Sequence, residues 1–167
     1  PMEKRRTLIL DKTQMEQKLH RMAHEIYENH CDDKEIVIIG VADRGYRLAK
    51  YLHNILTQIS DLSLSLVELQ IDKKKPNKLA SNLANYELEG KVVLLVDDVL
   101  NTGKTLIYGV KQILDQQVKV LKTVILVNRR HRNFPIRADY VGLTLSTTLK
   151  DHIDVQLDEN KEGVFLA

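Results

Sequence analysis

Asp97 and Asp98 stand side by side at the end of an apolar run, Val92-Val93-Leu94-Leu95-Val96. Val99 and Leu100 follow, and then a short polar loop, Asn101-Thr102-Gly103-Lys104-Thr105. Beyond it the apolar residues Leu106, Val110, Ile113 and Leu114 fall at helical spacing. A run with no polar alternation suits a strand buried on both faces, as in a parallel sheet. The stretch therefore reads as strand, acidic pair, phosphate-sized loop, helix. Ligands of open α/β sheets bind at the carboxyl ends of strands, and the free N–H groups of a helix start suit a phosphate.

Gly103-Lys104-Thr105 ends like a nucleotide-binding P-loop. That motif needs a glycine five residues before Gly103, where this chain has Asp98. A carboxylate there would repel triphosphate oxygens, so an ATPase is excluded.

A second strand end meets a second helix start upstream. Residues 36–39 are all Ile or Val, and Gly40-Val41-Ala42-Asp43-Arg44-Gly45 follows. Leu48, Leu52, Ile55, Leu56 and Ile59 then mark a helix. An arginine beside backbone N–H groups at a helix start makes an anion site, although an ordinary turn with an exposed Arg has the same composition.

The remaining elements are those that must position these loops. A helix is predicted over the apolar positions Met15, Leu19, Met22, Ala23, Ile26 and Tyr27, with Thr13 and Glu16 in a capping-box pattern at its start. Residues 63–71 alternate like a strand with one wetter face. Residues 124–127 form a third buried run. It leads into Asn128-Arg129-Arg130-His131-Arg132-Asn133-Phe134-Pro135-Ile136-Arg137, a local positive patch. Residues 141–145 and 153–157 read as short closing strands. The expected fold is α/β: a mainly parallel central sheet with helices on both faces and a small C-terminal hood.

The chain has 167 residues, 43% hydrophobic and 29% charged, with a formal net charge of +2. One domain spanning 1–167 with a proper core is the expectation. The small net charge implies no strong global pull towards nucleic acid. Cys31 is the only cysteine, so an intrachain disulfide is excluded. No apolar stretch is long enough to span a membrane, and the charged start lacks a signal-peptide core. A cytoplasmic setting is expected.

The acidic pair with its Thr/Gly loop resembles the signature of type I phosphoribosyltransferases, which bind phosphoribosyl pyrophosphate (PRPP). Residues 131–142, His131-Arg132 and Pro135-Ile136-Arg137-Ala138-Asp139-Tyr140-Val141-Gly142, resemble a narrower group. These are the pyrimidine-operon attenuation regulators that are also uracil phosphoribosyltransferases. The stretch LILDKTQMEQKLHRMAHEIYE and the late VQLDE fit the same group.

The resemblance implies transfer of the phosphoribosyl group of PRPP to a nucleobase, uracil first. Asp97 and Asp98 would take the ribose hydroxyls and share Mg²⁺, mostly through PRPP and water. Asn101, Thr102, Gly103, Lys104 and Thr105 would hold the 5′-phosphate, and Ala42, Asp43, Arg44 and Gly45 the pyrophosphate. Arg129 and the backbone near Tyr140 and Val141 are the candidates for the base. The lysine-rich segment 72–90 sits where the family carries a mobile closing loop, although most lysine runs are solvated loops. The resemblance also implies a homodimer. RNA is a further partner to weigh, through His20, Arg21, His24, Arg132 and Arg137. A nucleotide-binding regulator with weak catalysis, or a purine phosphoribosyltransferase, is the alternative.

Overall fold

The structure is a computed structural model and describes residues 6–72, 74–76, 82–146 and 151–167. The unbroken apolar runs form the middle of a five-stranded sheet. Its strands are β2 (Glu35–Val41), β3 (Ser63–Leu69), β4 (Val92–Leu100), β5 (Val120–Arg129) and β6 (Tyr140–Leu145), after a first strand β1 (Thr7–Leu10) that lies elsewhere. The order is β3-β2-β4-β5-β6, and each neighbouring pair is parallel. β4 is central, and every residue from 92 to 98 is buried.

Strand residues alternate between two apolar layers, as the two-residue period of a strand requires. Ile36, Ile38, Leu94 and Val96 face α1 (Lys12–His30) and α2 (Arg44–Ile59), where Leu19, Met22, Ile26, Leu48 and Leu52 meet them. Val37, Ile39, Val93 and Leu95 face α3 (Lys104–Ile113) through Leu106 and Ile113. Helices thus cover both faces. Each fully buried Leu or Ile contributes about 1.5–3 kcal/mol, so these two layers hold β4, and with it the acidic pair, in place.

Helix α1 starts earlier than Thr13 and Glu16 suggested. Asp11 is the N-cap: its Oδ1 accepts from the Gln14 N–H at 2.8 Å, while Gln14 Oε1 accepts from the Asp11 N–H at 3.0 Å. Both four-residue patterns fit a capping box, and Asp is the stronger N-cap.

The hood also differs in composition from the expectation. It is a three-stranded antiparallel sheet, β1-β8-β7, made of β1, β7 (Ile153–Gln156) and β8 (Gly163–Leu166). Residues 141–145 belong instead to β6 of the main sheet. The Asp139 carboxylate accepts from the Thr123 N–H at 2.9 Å, and the Asp139 N–H donates to the Thr123 carbonyl at 3.0 Å. These bonds dock the start of β6 onto β5, so the segment cannot fold away into the hood.

Parallel neighbours are usually joined through a helix. Between β5 and β6 the crossover, residues 130–139, contains none. It runs over the α3 face, where Ile136 and Ala138 pack against the apolar layer. In the lysine-rich segment, Asn82–Asn85 form a 3₁₀ turn, and Leu83 and Leu88 are buried on that same face. Lys73 and Lys78 lie outside the described residues. Among the described residues no helix is long and apolar enough to cross a membrane.

Candidate active site

β4 continues through the acidic pair, so both carboxylates are carried by the rigid sheet. Asp97 is 4% and Asp98 6% exposed. The Asp98 N–H donates to Asp97 Oδ1, and the Val99 N–H to Asp98 Oδ1, each at 2.9 Å. Withdrawing two adjacent carboxylates from water costs free energy that packing does not return. A fold that keeps them has a use for them. They line a cavity of about 450 Å³ together with Asp43, Arg44, residues 99–106, His152 and Ile153.

One end of this cavity is the start of α3. Its N-cap is Gly103, at φ +90°, and no side chain caps the helix. No acidic residue lies in the first turn. The N–H groups of a first turn have no intrahelical partner. The Lys104 N–H makes only a 3.3 Å contact with Thr102 Oγ1. Asn101, Thr102, Gly103, Lys104 and Thr105 all line the cavity. This end is built to receive an anion.

The other end is the start of α2. The Ala42–Asp43 peptide is cis, and Asp43 is an N-cap without a side-chain cap bond. Gly45 lets this helix start reach the acidic pair. A Cβ there would lie 2.7 Å from the Val96 carbonyl oxygen and 2.9 Å from Asp97 Oδ1. Arg44 lines the cavity, and its Nη1 pairs with Asp154 Oδ1 of β7 at 3.0 Å. Arg6 also pairs with Asp154, and Arg47 bridges Asp158 and, at 3.6 Å, Asp43. Ala42 is turned to the sheet edge, its N–H donating to the Leu69 carbonyl at 2.9 Å.

The residues proposed for the base are scattered. Arg129 reaches the loop, with Nη1 3.1 Å from Asn101 Oδ1. Tyr140 is buried beneath α1, and its hydroxyl accepts from Asn29 Nδ2 at 2.9 Å. Burial raises the pKa of its phenol. The Val141 carbonyl accepts from Arg21 at 3.0 Å. None of Arg129, Tyr140 and Val141 lines the cavity; His152 and Ile153 do instead. The sequence marks Ile153 only as the start of a short closing strand and gives His152 no signal, because nothing local says that this strand folds over the cavity. His152 is fixed by a mutual pair of backbone bonds with Ala167, at 3.0 and 2.8 Å.

The cations weighed for RNA separate likewise. Arg21 pairs with Glu25 at 2.6 Å and holds the carbonyls of Val141 and Gly142. Arg132 turns inward onto backbone carbonyls. The Arg137 side chain is 87% exposed, and His20 and His24 are exposed on α1.

The phosphoribosyl transferase domain model matches residues 6–160. The Bifunctional protein PyrR of Haemophilus ducreyi is 36% identical over 166 residues, covering 94% of this chain and 92% of its own. The chain belongs to the phosphoribosyltransferase family. A Bifunctional protein pyrR of Enterococcus faecalis is 34% identical over 160 residues, covering 90% of this chain and 89% of its own. Among solved structures, the hypoxanthine phosphoribosyltransferase of Trypanosoma cruzi superposes with a TM-score of 0.79 at 18% identity, covering 96% of this chain and 95% of its own. A hypoxanthine-guanine phosphoribosyltransferase of Bacillus anthracis gives 0.70 at 20% identity, covering 84% of each chain. At that identity the likeness speaks for the fold. The protein is a phosphoribosyltransferase with the parallel sheet, flanking helices and hood described above.

Proposed function

We propose that this phosphoribosyltransferase transfers the phosphoribosyl group of PRPP to uracil, giving UMP and pyrophosphate. One observation carries the reading: two uncapped helix starts face one cavity with a buried acidic pair between them. PRPP has the matching shape, with a phosphate at each end of a diol. The 5′-phosphate sits on the N–H groups of residues 101–105, with the Thr102 and Thr105 hydroxyls assisting. The pyrophosphate lies against residues 42–45, and Arg44 supplies the cation.

Asp97 and Asp98 accept hydrogen bonds from the ribose hydroxyls. A base nitrogen bonds to C1 as the bond to pyrophosphate breaks; pyrophosphate leaves with the electron pair, and the proton of the base nitrogen passes to pyrophosphate or water. The ribosyl group gains positive charge on the way, and the preorganised carboxylates stabilise it. No protein nucleophile is needed; the chain's work is positioning. The base lies against His152 and Ile153, which line the cavity, while Arg129 reaches the site through Asn101.

Mg²⁺ fits this donor set. Among the described residues no group of three or more His, Cys, Asp or Glu gathers to cage a metal. A hard ion that keeps several waters and takes phosphate oxygens needs only one or two carboxylates, which Asp97 and Asp98 provide. When bound, it neutralises charge on the leaving pyrophosphate.

Uracil rests on the resemblance over residues 131–142. The test is turnover of purified protein with PRPP, Mg²⁺ and a panel of bases. UMP formation supports the reading. Turnover of hypoxanthine or guanine without uracil would remove the pyrimidine and leave the chemistry. A second reading, a PRPP-binding regulator that contacts RNA, draws on the word "bifunctional" in the relatives' names and on the exposure of His20, His24 and Arg137. Binding to a pyrimidine-operon leader hairpin that falls with salt and strengthens with UMP would support it.

A further inference from the structure

The crossover from β5 to β6 carries the strongest motif that the proposed chemistry leaves unused. Its sequence looks like a basic patch, yet Arg132 faces inward. Arg132 Nη1 donates to the Asn101 carbonyl at 2.6 Å and to the Arg129 carbonyl at 2.6 Å. Its Nε donates to the Ile136 carbonyl at 3.3 Å, and its Nη2 to Asn128 Oδ1. One guanidinium thus ties the end of β5, the crossover and the loop of residues 101–103 together.

The next residues of the crossover continue the contact. The Asn133 and Phe134 N–H groups donate to the Thr102 carbonyl at 2.9 and 3.1 Å. Ile136 fills the space in front of Gly103, where a Cβ would lie 2.5 Å from Ile136 Cγ2. In a trans peptide the carbonyl of one residue and the N–H of the next lie in one plane and point in opposite directions. Pinning the Asn101 and Thr102 carbonyls to the crossover therefore turns the N–H groups of Thr102 and Gly103 the other way. Both residues line the cavity and no residue of the crossover does, so the side away from the crossover is the cavity side.

We propose that Arg132 is a positioning residue for the 5′-phosphate cradle: without touching PRPP, it holds the loop carbonyls back so that the loop N–H groups converge on the phosphate before substrate arrives. The proposal rests on the reading of residues 101–105 as the 5′-phosphate loop. A lysine is a single point charge and cannot reproduce a fork that serves several acceptors at once.

Calorimetric titration of the full chain with ribose 5-phosphate, and separately with pyrophosphate, tests it. Arg132→Gln is expected to weaken ribose 5-phosphate binding about tenfold or more while pyrophosphate affinity stays within about twofold. Arg132→Lys should recover only part of the loss. Ile136→Ala, which loosens the same loop from a different side, should show the same selective loss in smaller measure; it decides the matter with Arg132→Lys if Arg132→Gln does not fold. A purely structural role would weaken both ligands together. Unchanged ribose 5-phosphate affinity in a folded Arg132 variant overturns the proposal, and so does an equal loss for both ligands. Thr105→Val separates the two readings. If it leaves ribose 5-phosphate binding untouched, the assignment of the loop fails and this proposal with it. If it weakens binding while Arg132→Gln does not, only the role of Arg132 fails.

Discussion

The two helix starts that face the cavity are held in different ways. The α3 start is braced by backbone carbonyls, a glycine contact and an inward-facing guanidinium. The α2 start is tied to the hood by ion pairs: Arg44 and Arg6 with Asp154, and Arg47 with Asp158. The side chains of these arginines are 40–45% exposed. Several directional bonds to neutral backbone carbonyls set a geometry that salt scarcely alters, whereas half-exposed ion pairs are weak and screened. Both starts pack closely on their neighbours, α2 through Gly45 against β4. Only the α2 end owes part of its setting to charges that salt can screen, and in that sense it is the yielding end and α3 the fixed one. That division suits a substrate which keeps one phosphate and releases the other.

The largest effect should come from the fixed end. Gly103→Ala places a side chain at positive φ and against Ile136, so a loss of about 1–3 kcal/mol is expected. Gly90→Ala is the control. Gly90 is also at positive φ, +69°, but a Cβ there meets nothing within 4 Å. Strain alone costs about 1 kcal/mol. Urea denaturation of both variants measures the difference. Equal losses would mean that the brace adds nothing.

Between the two ends, Asp97→Asn and Asp98→Asn should each lower PRPP-dependent turnover about tenfold or more, or ~1.4 kcal/mol of barrier. Initial rates at saturating PRPP check this. Normal rates in both variants would take the acidic pair out of the reaction and leave the two ends unconnected.

At the yielding end, Asp154→Asn removes the partner of Arg44 and Arg6. Stability should fall by about 1 kcal/mol, since the two arginines are half-exposed while Asp154, 17% exposed, also accepts from Gln156. Pyrophosphate affinity should shift, and ribose 5-phosphate affinity should not. Raising ionic strength from about 0.1 M to 1 M should narrow the gap between wild type and variant, because screening weakens the wild-type pairs. A shift in ribose 5-phosphate affinity of the same size would erase the distinction between the ends.

The smallest effect belongs to an ion pair remote from the cavity. The Lys119 ammonium, 3.1 Å away, and then His30 hold the Asp33 carboxyl below its ordinary value. A lowered folded pKa means stability that is present above the ordinary carboxylate range and lost as pH falls through the lowered value. Asp33→Asn should therefore lose stability at neutral pH and match wild type in strong acid, with unchanged kinetic constants. Altered kinetics would show that ion pairs matter here wherever they sit.

Legibility from sequence followed the range of the interactions. Val92 to Val96 and residues 36–39 announced the buried parallel strands, because burial on both faces leaves an unbroken apolar run. Asp97, Asp98 and residues 101–105 were legible as a unit because strand, acid pair, loop and helix are contiguous. The hood was only half legible. β1 pairs with β8 across almost the whole chain, and such a pairing leaves no local pattern. The direction of Arg132 was hidden too, since a run of arginines reads alike whether a side chain faces water or a row of carbonyls. His152 entered the site only because the hood folds over the strand ends.

Arg21 has a consequence for how this molecule behaves among its neighbours. β6 is the last strand of its sheet, and an unprotected edge is a template on which a strand from another chain can add. The Arg21 guanidinium holds the carbonyls of Val141 and Gly142 in that strand, at 3.0 and 2.8 Å. Consecutive carbonyls of a strand point to opposite edges, so the fork takes up one acceptor of the open edge and puts its bulk in the way of a foreign strand. A fixed charge beside them also disfavours an apolar partner. A side chain weighed as a grip for a polyanion is, in the folded molecule, a charge fixed on the last strand of a sheet, the kind of feature that blunts an edge.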